Sequence, residues 1–205
     1  MNKKVFLFFL FSLLLHSVCV AQNWDIDFLK EANLNRNRSL DGFLIFITNF
    51  AAPLAYSIPF FLLLFAVINK RAALKEKSIY IIQSAALALA LSTLLKHLID
   101  RPRPFITYPF LEKLSTGGSN SFPSGHTTDA ITLAASLSFA FPRWYVIVPS
   151  FAWALTVGYS RMHLGVHYPS DVIAAVFLGT GCSFLIYKLK ERRKKQQIEK
   201  DTALA

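Results

Sequence analysis

The fold is decided by residues 79–104, which read IYIIQSAALALALSTLLKHLIDRPRP. The first part, 79–98, is an apolar run of about 20 residues, the length that a helix needs to cross the hydrocarbon core of a bilayer. Arginines and prolines follow this run, and prolines interrupt a helix. The segment therefore predicts a membrane-spanning helix that ends in a cluster of cationic residues.

Further apolar runs of this kind predict a helical bundle in the membrane. The chain has 205 residues, of which 54% are hydrophobic and 19 are Phe, and this composition is too apolar for an ordinary soluble domain. The predicted fold class is all-α, a polytopic membrane helical bundle formed by one domain of residues 42–187. The five predicted spans are 42–68, 79–98, 126–142, 144–160 and 171–187.

The two ends of the chain flank this domain. Residues 1–21 read as a secretory signal peptide, with a basic start, an apolar core and small residues that favour cleavage after Ala21. The alternative is an uncleaved first span, which gives a bundle of six spans. Residues 22–41 are interpreted as an interfacial or connector segment, and residues 188–205 as a basic cytoplasmic tail.

The distribution of charge sets the expected topology. The formal net charge is +10, and basic residues are concentrated in the 70–78 loop and in the tail, in agreement with the positive-inside bias of membrane proteins. Nucleic-acid binding is not expected, because no recognition motif accompanies these residues. With the 70–78 loop in the cytoplasm, alternation places segments 96–104, 123–126 and 160–171 on the outer side. These segments therefore share one face of the membrane.

The end of the second predicted span supplies two candidate anion ligands, Lys96 and Arg103. Arginine can bind two phosphate oxygens at once, whereas lysine contributes a compact charge. Arg161, at the end of the fourth span, supplies a further cation. Cations at a membrane edge are common, but these lie on the outer side, against the positive-inside bias. An anionic ligand explains this departure from the trend.

The start of the third predicted span has features of an anion site. Ser124 is a candidate helix N-cap, and Gly125 lets the backbone approach an anion closely. Free N–H groups at a helix start bind phosphate without help from a side chain. His126 is then placed beside that phosphate, where it can protonate a departing oxygen. Taken alone, the segment is better explained as a helix cap followed by a single histidine.

The last predicted span begins near a histidine and a carboxylate. Pro169 suits the first turn of a helix, so His167 is expected just before the helix and Asp171 in its first turn. The carboxylate can accept a hydrogen bond from one ring nitrogen and free the other as a nucleophile. Taken alone, Asp171 is better explained as an ordinary helix-start acid, and His167 as an interfacial histidine bonded to the backbone.

In order, the motifs Lys-x6-Arg-Pro, Pro-Ser-Gly-His and Ser-Arg-x5-His-x3-Asp resemble the type 2 phosphatidic acid phosphatase family. The resemblance implies a lipid phosphatase with an all-helical membrane core, no metal and no cofactor, which works through a phosphohistidine intermediate. It implies that His167 attacks phosphorus, that Asp171 orients His167, and that His126 is the general acid and base. The implied phosphate-binding residues are Lys96, Arg103, Ser124, Gly125, Arg161 and, as a weaker candidate, Ser160.

The substrate implied by this resemblance is a lipid phosphate or pyrophosphate at the outer face of a bacterial inner membrane. Candidates are undecaprenyl pyrophosphate, phosphatidylglycerol phosphate, phosphatidic acid and the phosphates of lipid A. The expected partners are this substrate and membrane lipids, and the sequence does not define an oligomeric state.

A lipid phosphotransferase that uses the same site is the closest alternative. A vanadate-dependent haloperoxidase-like oxidoreductase is a weaker one, because those enzymes are larger soluble proteins. A non-catalytic lipid or anion binder, or a transporter, is also weaker, because the histidines and the carboxylate are intact.

Three further features of the sequence lead to expectations about the site and its surroundings. The 105–122 loop contains glycine, serine and asparagine residues and is expected to lie over the site. Asp100 and Arg101 are interpreted as a local ion pair. Asp129 is an acid near the start of a span, where it needs a hydrogen-bond partner, and it has no assigned role.

Overall fold

A computed structural model describes residues 24–118 and 120–203, and every regular element in these ranges is helical. The predicted signal peptide at 1–21 lies outside the described residues. The all-α class is confirmed. The helices are α1 (24–33), α2 (Asp41–Asn49), α3 (Ala51–Ile68), α4 (Ala72–Ile99), α5 (Pro104–Thr107), α6 (Gly125–Ala140), α7 (Trp144–His163) and α8 (Pro169–Ala203), with a 3-10 turn at Arg38–Leu40.

Three helical stretches in the described ranges are long and apolar enough to cross a membrane. They are Arg38–Ile68, Ala72–Thr107 and Pro169–Thr202. Helix α6 lies between these stretches and α7, and it packs against α3, α4, α7 and α8. The protein is therefore a membrane bundle built around α6, and the count of five spans stays a prediction.

Small residues let the central helix approach its neighbours closely. At Gly179 of α8, an added Cβ would lie 2.9 Å from Thr132 Oγ1 and 3.0 Å from the Thr132 backbone nitrogen. At Gly158 of α7, an added Cβ would lie 3.5 Å from Thr127 Cγ2 of α6 and 3.1 Å from Val172 Cγ1 of α8. Helices in membranes use such small residues because close backbone contact replaces the hydrophobic driving force available in water.

Several helices differ in extent from the predicted spans. The 42–68 span is divided at Phe50 into α2 and α3. Helix α4 begins before residue 79 and ends at Ile99, where Asp100 adopts a left-handed conformation with φ of 48°. Helix α8 begins at Pro169, as predicted, but continues without a break through the basic tail. Hydropathy marks the part of a helix inside the membrane, whereas a helix can extend into water.

Residues 24–33 form a helix that belongs to the packed body of the protein. Leu29 is fully buried and packs in one cluster with Leu111, Met162, Tyr168 and Val172. This cluster includes residues that immediately flank the predicted site on α7 and α8. Helix α1 therefore covers the end of the bundle where the predicted site residues lie.

Candidate active site

The predicted site residues come from helix ends that meet at one end of the bundle. Lys96 lies in the last turn of α4, and Arg103 immediately precedes α5. His126 lies in the first turn of α6, Arg161 in the last turns of α7, and Asp171 in the first turn of α8. Residues more than 70 positions apart in sequence are thus brought into one region by the antiparallel packing of the helices.

His167 lies in the connection between α7 and α8 and is buried. Its Nδ1 lies 3.4 Å from Asp171 Oδ2, and its Nε2 lies 3.1 Å from Arg103 Nη1. Because a guanidinium group only donates, Nε2 accepts this bond and Nδ1 carries the ring proton. Burial lowers the pKa of His167 to about 3, so the ring is neutral near neutral pH. A neutral ring with its lone pair on Nε2 is the form that can attack phosphorus.

Asp171 is fully buried and accepts several hydrogen bonds. Besides His167, its Oδ2 accepts from the Tyr168 backbone nitrogen at 2.9 Å and from the Ser121 hydroxyl. Its Oδ1 accepts from Arg101 Nη1 at 2.7 Å. A carboxylate with these donors is held ionised and in one orientation.

The interpretation of Asp100 and Arg101 as a local ion pair is wrong. Arg101 turns inward to Asp171, whereas Asp100 Oδ1 accepts a hydrogen bond of 2.6 Å from Asn120 Nδ2. The left-handed conformation of Asp100 ends α4 between the two residues, so their side chains follow different elements.

The cations on the α4 side are held by carbonyl oxygens. Lys96 Nζ donates to the carbonyls of Asn120 at 2.8 Å and of Pro123 at 2.7 Å. Arg103 Nη1 donates to the carbonyl of Val166 at 2.8 Å. Anionic phosphate oxygens accept stronger hydrogen bonds from these donors than neutral carbonyls do. The arrangement therefore positions both side chains for a phosphate.

Arg161 is almost completely buried, at 1% exposure. Its guanidinium donates to Thr48 Oγ1 at 2.8 Å, to Ser115 Oγ at 3.2 Å and to the Thr116 carbonyl at 3.2 Å. Its Nε is buried and has no hydrogen-bond partner among the described residues. No carboxylate in the described part of the chain pairs with Arg161, and a buried cation in that state is costly unless an anion binds to it.

The start of α6 lies beside these cations. Ser124 occupies the N-cap position, but its hydroxyl lies 2.9 Å from Thr127 Oγ1 and does not cap a backbone N–H. Gly125 lies beside Lys96, since an added Cβ would be 3.9 Å from Lys96 Cε. His126 is half-buried and within electrostatic reach of Arg161, Arg103 and Lys96. The helix N-terminus and the histidine therefore lie next to the cations.

Ser160 and Asp129 are placed differently from the other candidates. Ser160 is buried, and its hydroxyl donates to the Val157 carbonyl of its own helix at 2.6 Å. This bond turns the Ser160 hydroxyl towards the backbone of α7. Asp129, one turn along α6 from His126, accepts a hydrogen bond of 3.0 Å from the Tyr56 hydroxyl of α3. The tyrosine is thus the partner that an acid in this position requires.

The 105–122 loop contributes more to the site than its composition predicted. Residues of this loop bond to three charged groups of the candidate site, through Ser115 and Thr116 to Arg161, Asn120 to Lys96, and Ser121 to Asp171. Gly117 lies against Arg103, because an added Cβ would be 3.0 Å from Arg103 Cδ. The glycine, serine and asparagine content indicated a turning segment above the site, but it gave no signal for these contacts.

These features define the class of protein. A helical membrane bundle that holds a neutral histidine, its carboxylate and buried cations at one end has the components of a phosphoryl-transfer site. The chain belongs to the PAP2 superfamily, whose family model matches residues 77–195. This range contains every site residue predicted from the sequence.

Individual relatives agree with this assignment. An undecaprenyl-diphosphatase of Sulfolobus acidocaldarius is 31% identical over 94% of this chain and 92% of its own. The crystal structure of LpxE from Aquifex aeolicus is 31% identical, covers 80% of this chain and 95% of that chain, and has a TM-score of 0.68. The first transmembrane PAP2-type phosphatidylglycerolphosphate phosphatase from Bacillus subtilis is 27% identical, covers 94% of this chain and 98% of that chain, and has a TM-score of 0.70. The protein is therefore an integral membrane phosphatase of the lipid phosphatase family.

Proposed function

We propose that this protein hydrolyses the terminal phosphate of a lipid phosphate or pyrophosphate through a phosphohistidine intermediate. The observation that carries the proposal is the His167 ring, which is neutral, hydrogen-bonded to Asp171 through Nδ1 and to Arg103 through Nε2. When a phosphate binds, its oxygens compete for the Arg103 guanidinium and bring phosphorus next to Nε2.

In the first step, His167 Nε2 attacks phosphorus, and the bond from phosphorus to the leaving oxygen breaks. His126, in its protonated form, donates a proton to that oxygen and becomes neutral, so the lipid leaves as an alcohol or, from a pyrophosphate, as a lipid monophosphate. In the second step, His126 takes a proton from water, and the water oxygen attacks the phosphohistidine. Inorganic phosphate is released and His167 is neutral again.

The cations stabilise the charge that develops on the phosphoryl oxygens. Lys96, Arg103 and Arg161 surround the region, and the N–H groups at the start of α6 add the positive end of a helix dipole. Ser124 and Gly125 lie at this helix start, and Ser160 is the weakest member of the set because its hydroxyl is bonded to its own helix.

The surface beside the site supports a lipid substrate. Near Lys96, the end of α4 exposes Leu94, Leu98 and Ile99, of which Leu98 is 70% exposed. An exposed apolar strip next to a phosphate site allows a lipid chain to stay in the bilayer while its headgroup reaches the cations. The matched relatives act on undecaprenyl diphosphate and phosphatidylglycerolphosphate by name, and both are lipids of this type.

The proposed location is a bacterial inner membrane, with the site on the periplasmic face. The basic 70–78 loop and the basic end of α8 support a cytoplasmic position for the opposite end of the bundle. A signal peptide at 1–21 is part of the same proposal.

Phosphate release by the detergent-purified protein tests the function. The panel contains undecaprenyl pyrophosphate, phosphatidylglycerol phosphate, phosphatidic acid and lipid A. We expect release from at least one lipid, and we expect His167→Ala and His126→Ala each to reduce it to below about a thousandth of the wild-type rate while the protein still inserts normally.

Two results would count against this proposal. Wild-type-like rates in either histidine variant would contradict the roles assigned to them. Transfer of the phosphoryl group to an added alcohol without free phosphate would identify a phosphotransferase, which is the alternative that uses the same site.

A further inference from the structure

Asp25 of α1 is a buried carboxylate that lies outside the family's sequence motifs. It is 1% exposed. Its Oδ1 accepts from the Ser170 backbone nitrogen at 2.8 Å, and its Oδ2 accepts from Arg101 Nη2 at 2.8 Å and from the Ser170 hydroxyl. Two positions further along the same helix, Asp27 is exposed, and among the described residues its one ion-pair partner is the exposed Lys30. Burial of one acid and exposure of the other indicate that Asp25 has a specific partner.

That partner, Arg101, bridges two carboxylates. Its Nη1 donates to Asp171 Oδ1 and to Ser170 Oγ, both at 2.7 Å, while Nη2 binds Asp25. The guanidinium carbon also lies 3.8 Å from the centre of the Tyr168 ring. These contacts fix the plane of the guanidinium, so its position depends on Asp25 on one side and determines Asp171 on the other.

The two oxygens of Asp171 have separate partners. Oδ1 receives the bond from Arg101, whereas Oδ2 faces His167 Nδ1 at 3.4 Å. Oδ2 also accepts from the Tyr168 backbone nitrogen and the Ser121 hydroxyl, so loss of the bond to Oδ1 leaves the carboxylate held at one oxygen only. The carboxylate can then turn about Oδ2, and the direction in which Oδ2 accepts from Nδ1 is no longer fixed. The Nε2 lone pair of His167 would then point away from phosphorus in part of the molecules.

We propose that Asp25 and Arg101 are positioning residues that hold Asp171, and through it His167, in the orientation for phosphoryl transfer. This inference rests on the proposed function. It makes α1, which lies outside the 77–195 range of the family model, a part of the working site. Neither residue supplies a proton or a bond to phosphorus.

The expected kinetic effect separates positioning from binding. Asp25 contacts Ser170 and Arg101 and none of the phosphate-binding cations, so we expect Asp25→Asn to lower kcat by about tenfold and to leave KM unchanged. Arg101→Gln should lower kcat further, because it removes the bond to Asp171 itself. The double variant should be no slower than Arg101→Gln alone, because Asp25 acts through Arg101. Asp27→Asn is the matched control and should match the wild type.

The experiment measures kcat and KM for these variants with a lipid that the wild type hydrolyses, normalised to the amount of folded protein. A wild-type kcat in Asp25→Asn would overturn the inference. A multiplied loss in the double variant would also overturn it, since that result assigns Asp25 a separate structural role. A loss of rate that disappears when the rate is normalised to folded protein would overturn the inference as well.

A second measurement does not depend on turnover. The chain has 5 histidines, and ¹⁵N-labelled histidine spectra, assigned with His167→Ala, report the tautomer of His167. We expect one tautomer, protonated on Nδ1, in the wild type and in Asp27→Asn, and a mixture in Asp25→Asn. An unchanged His167 signal in Asp25→Asn would overturn the inference. If the wild type released no phosphate from any lipid, the proposed function would fail, and this spectrum would still decide the positioning role.

Discussion

At the scale of single residues, the site keeps a histidine uncharged in a region rich in positive charge. His167 is buried beside Arg103, and Asp171 offsets this environment by accepting a hydrogen bond from the Nδ1–H group. An imidazolium ion here would face the guanidinium and would have no lone pair for phosphorus. The balance between the carboxylate and the cation therefore sets both the protonation state of His167 and the direction of its Nε2 lone pair.

The lowered pKa of His167 predicts how stability depends on pH. The pKa is about 3 in the folded protein and about 6.5 in an unfolded chain, so the unfolded state binds more protons between these values. The contribution of His167 to stability is therefore present above pH 6.5 and is lost as the pH falls towards 3. Thermal unfolding in detergent should show a steeper fall in Tm from pH 7 to pH 4 for the wild type than for His167→Gln, which does not titrate. Parallel curves would contradict the buried neutral state.

Residues of the site were predictable where a motif marks them and not where a contact is purely spatial. The sequence predicts Lys96, Arg103 and His167 because each has the residue type, at the spacing, of a motif that resembles a known family. Arg101 has an acidic neighbour in sequence, and only the fold shows that it turns to Asp171 instead. Asp25 lies 146 positions from Asp171 and carries no local signal at all.

At the scale of elements, the 105–122 loop fixes the cations through close packing. Gly117 packs directly against Arg103, because an added Cβ would lie 3.0 Å from Arg103 Cδ and 3.1 Å from Arg103 Nε. Gly118 is the adjacent residue, and an added Cβ there meets nothing within 4 Å. The two glycines therefore form a natural pair for testing how precisely the loop positions Arg103.

We expect Gly117→Ala to displace the Arg103 guanidinium and to lower kcat/KM by about tenfold or more, since small misplacements of a phosphate ligand are costly. Gly118→Ala should retain wild-type activity. Steady-state kinetics on the two variants, with Tm as a check on folding, provides the comparison. Equal rates for both would mean that the loop does not restrain Arg103.

Helices α6 and α8 are in close contact at Gly179, and we expect this contact to affect stability. An alanine at Gly179 would press on both the side chain and the backbone of Thr132, whereas one at Gly181 meets nothing within 4 Å. We expect Gly179→Ala to destabilise the protein by about 1–3 kcal/mol, the usual cost of overpacking. Gly181→Ala should be neutral. Thermal unfolding in detergent measures the difference, and equal Tm values would show that α6 and α8 can separate freely.

Helix ends were more predictable than helix lengths. Pro169 and the prolines after Ile99 mark where α8 begins and α4 ends, because proline lacks the backbone donor that a helix interior needs. The break at Phe50 and the extension of α8 through the tail had no such marker. The break depends on packing, and the extension depends on charged residues that remain helical in water. Hydropathy reports neither.

At the scale of the whole molecule, the site occupies one end of the bundle and the basic residues gather at the other. The 70–78 loop and the charged end of α8 lie together, as the bond of 2.8 Å from Lys190 Nζ to the Glu76 carbonyl shows. Antiparallel packing thus separates the cations of the candidate site from the basic residues at the opposite end, which the positive-inside bias predicts to be cytoplasmic.

This separation predicts which end a reagent can reach from outside the cell. Lys113 lies in the loop at the site end and Lys75 at the basic end, and both are exposed. In a variant with both native cysteines replaced by alanine, Lys113→Cys should react with a membrane-impermeant maleimide in intact spheroplasts. Lys75→Cys should react only after the membrane is permeabilised. The opposite pattern would place the site in the cytoplasm, and undecaprenyl pyrophosphate and lipid A facing the periplasm would no longer be accessible substrates.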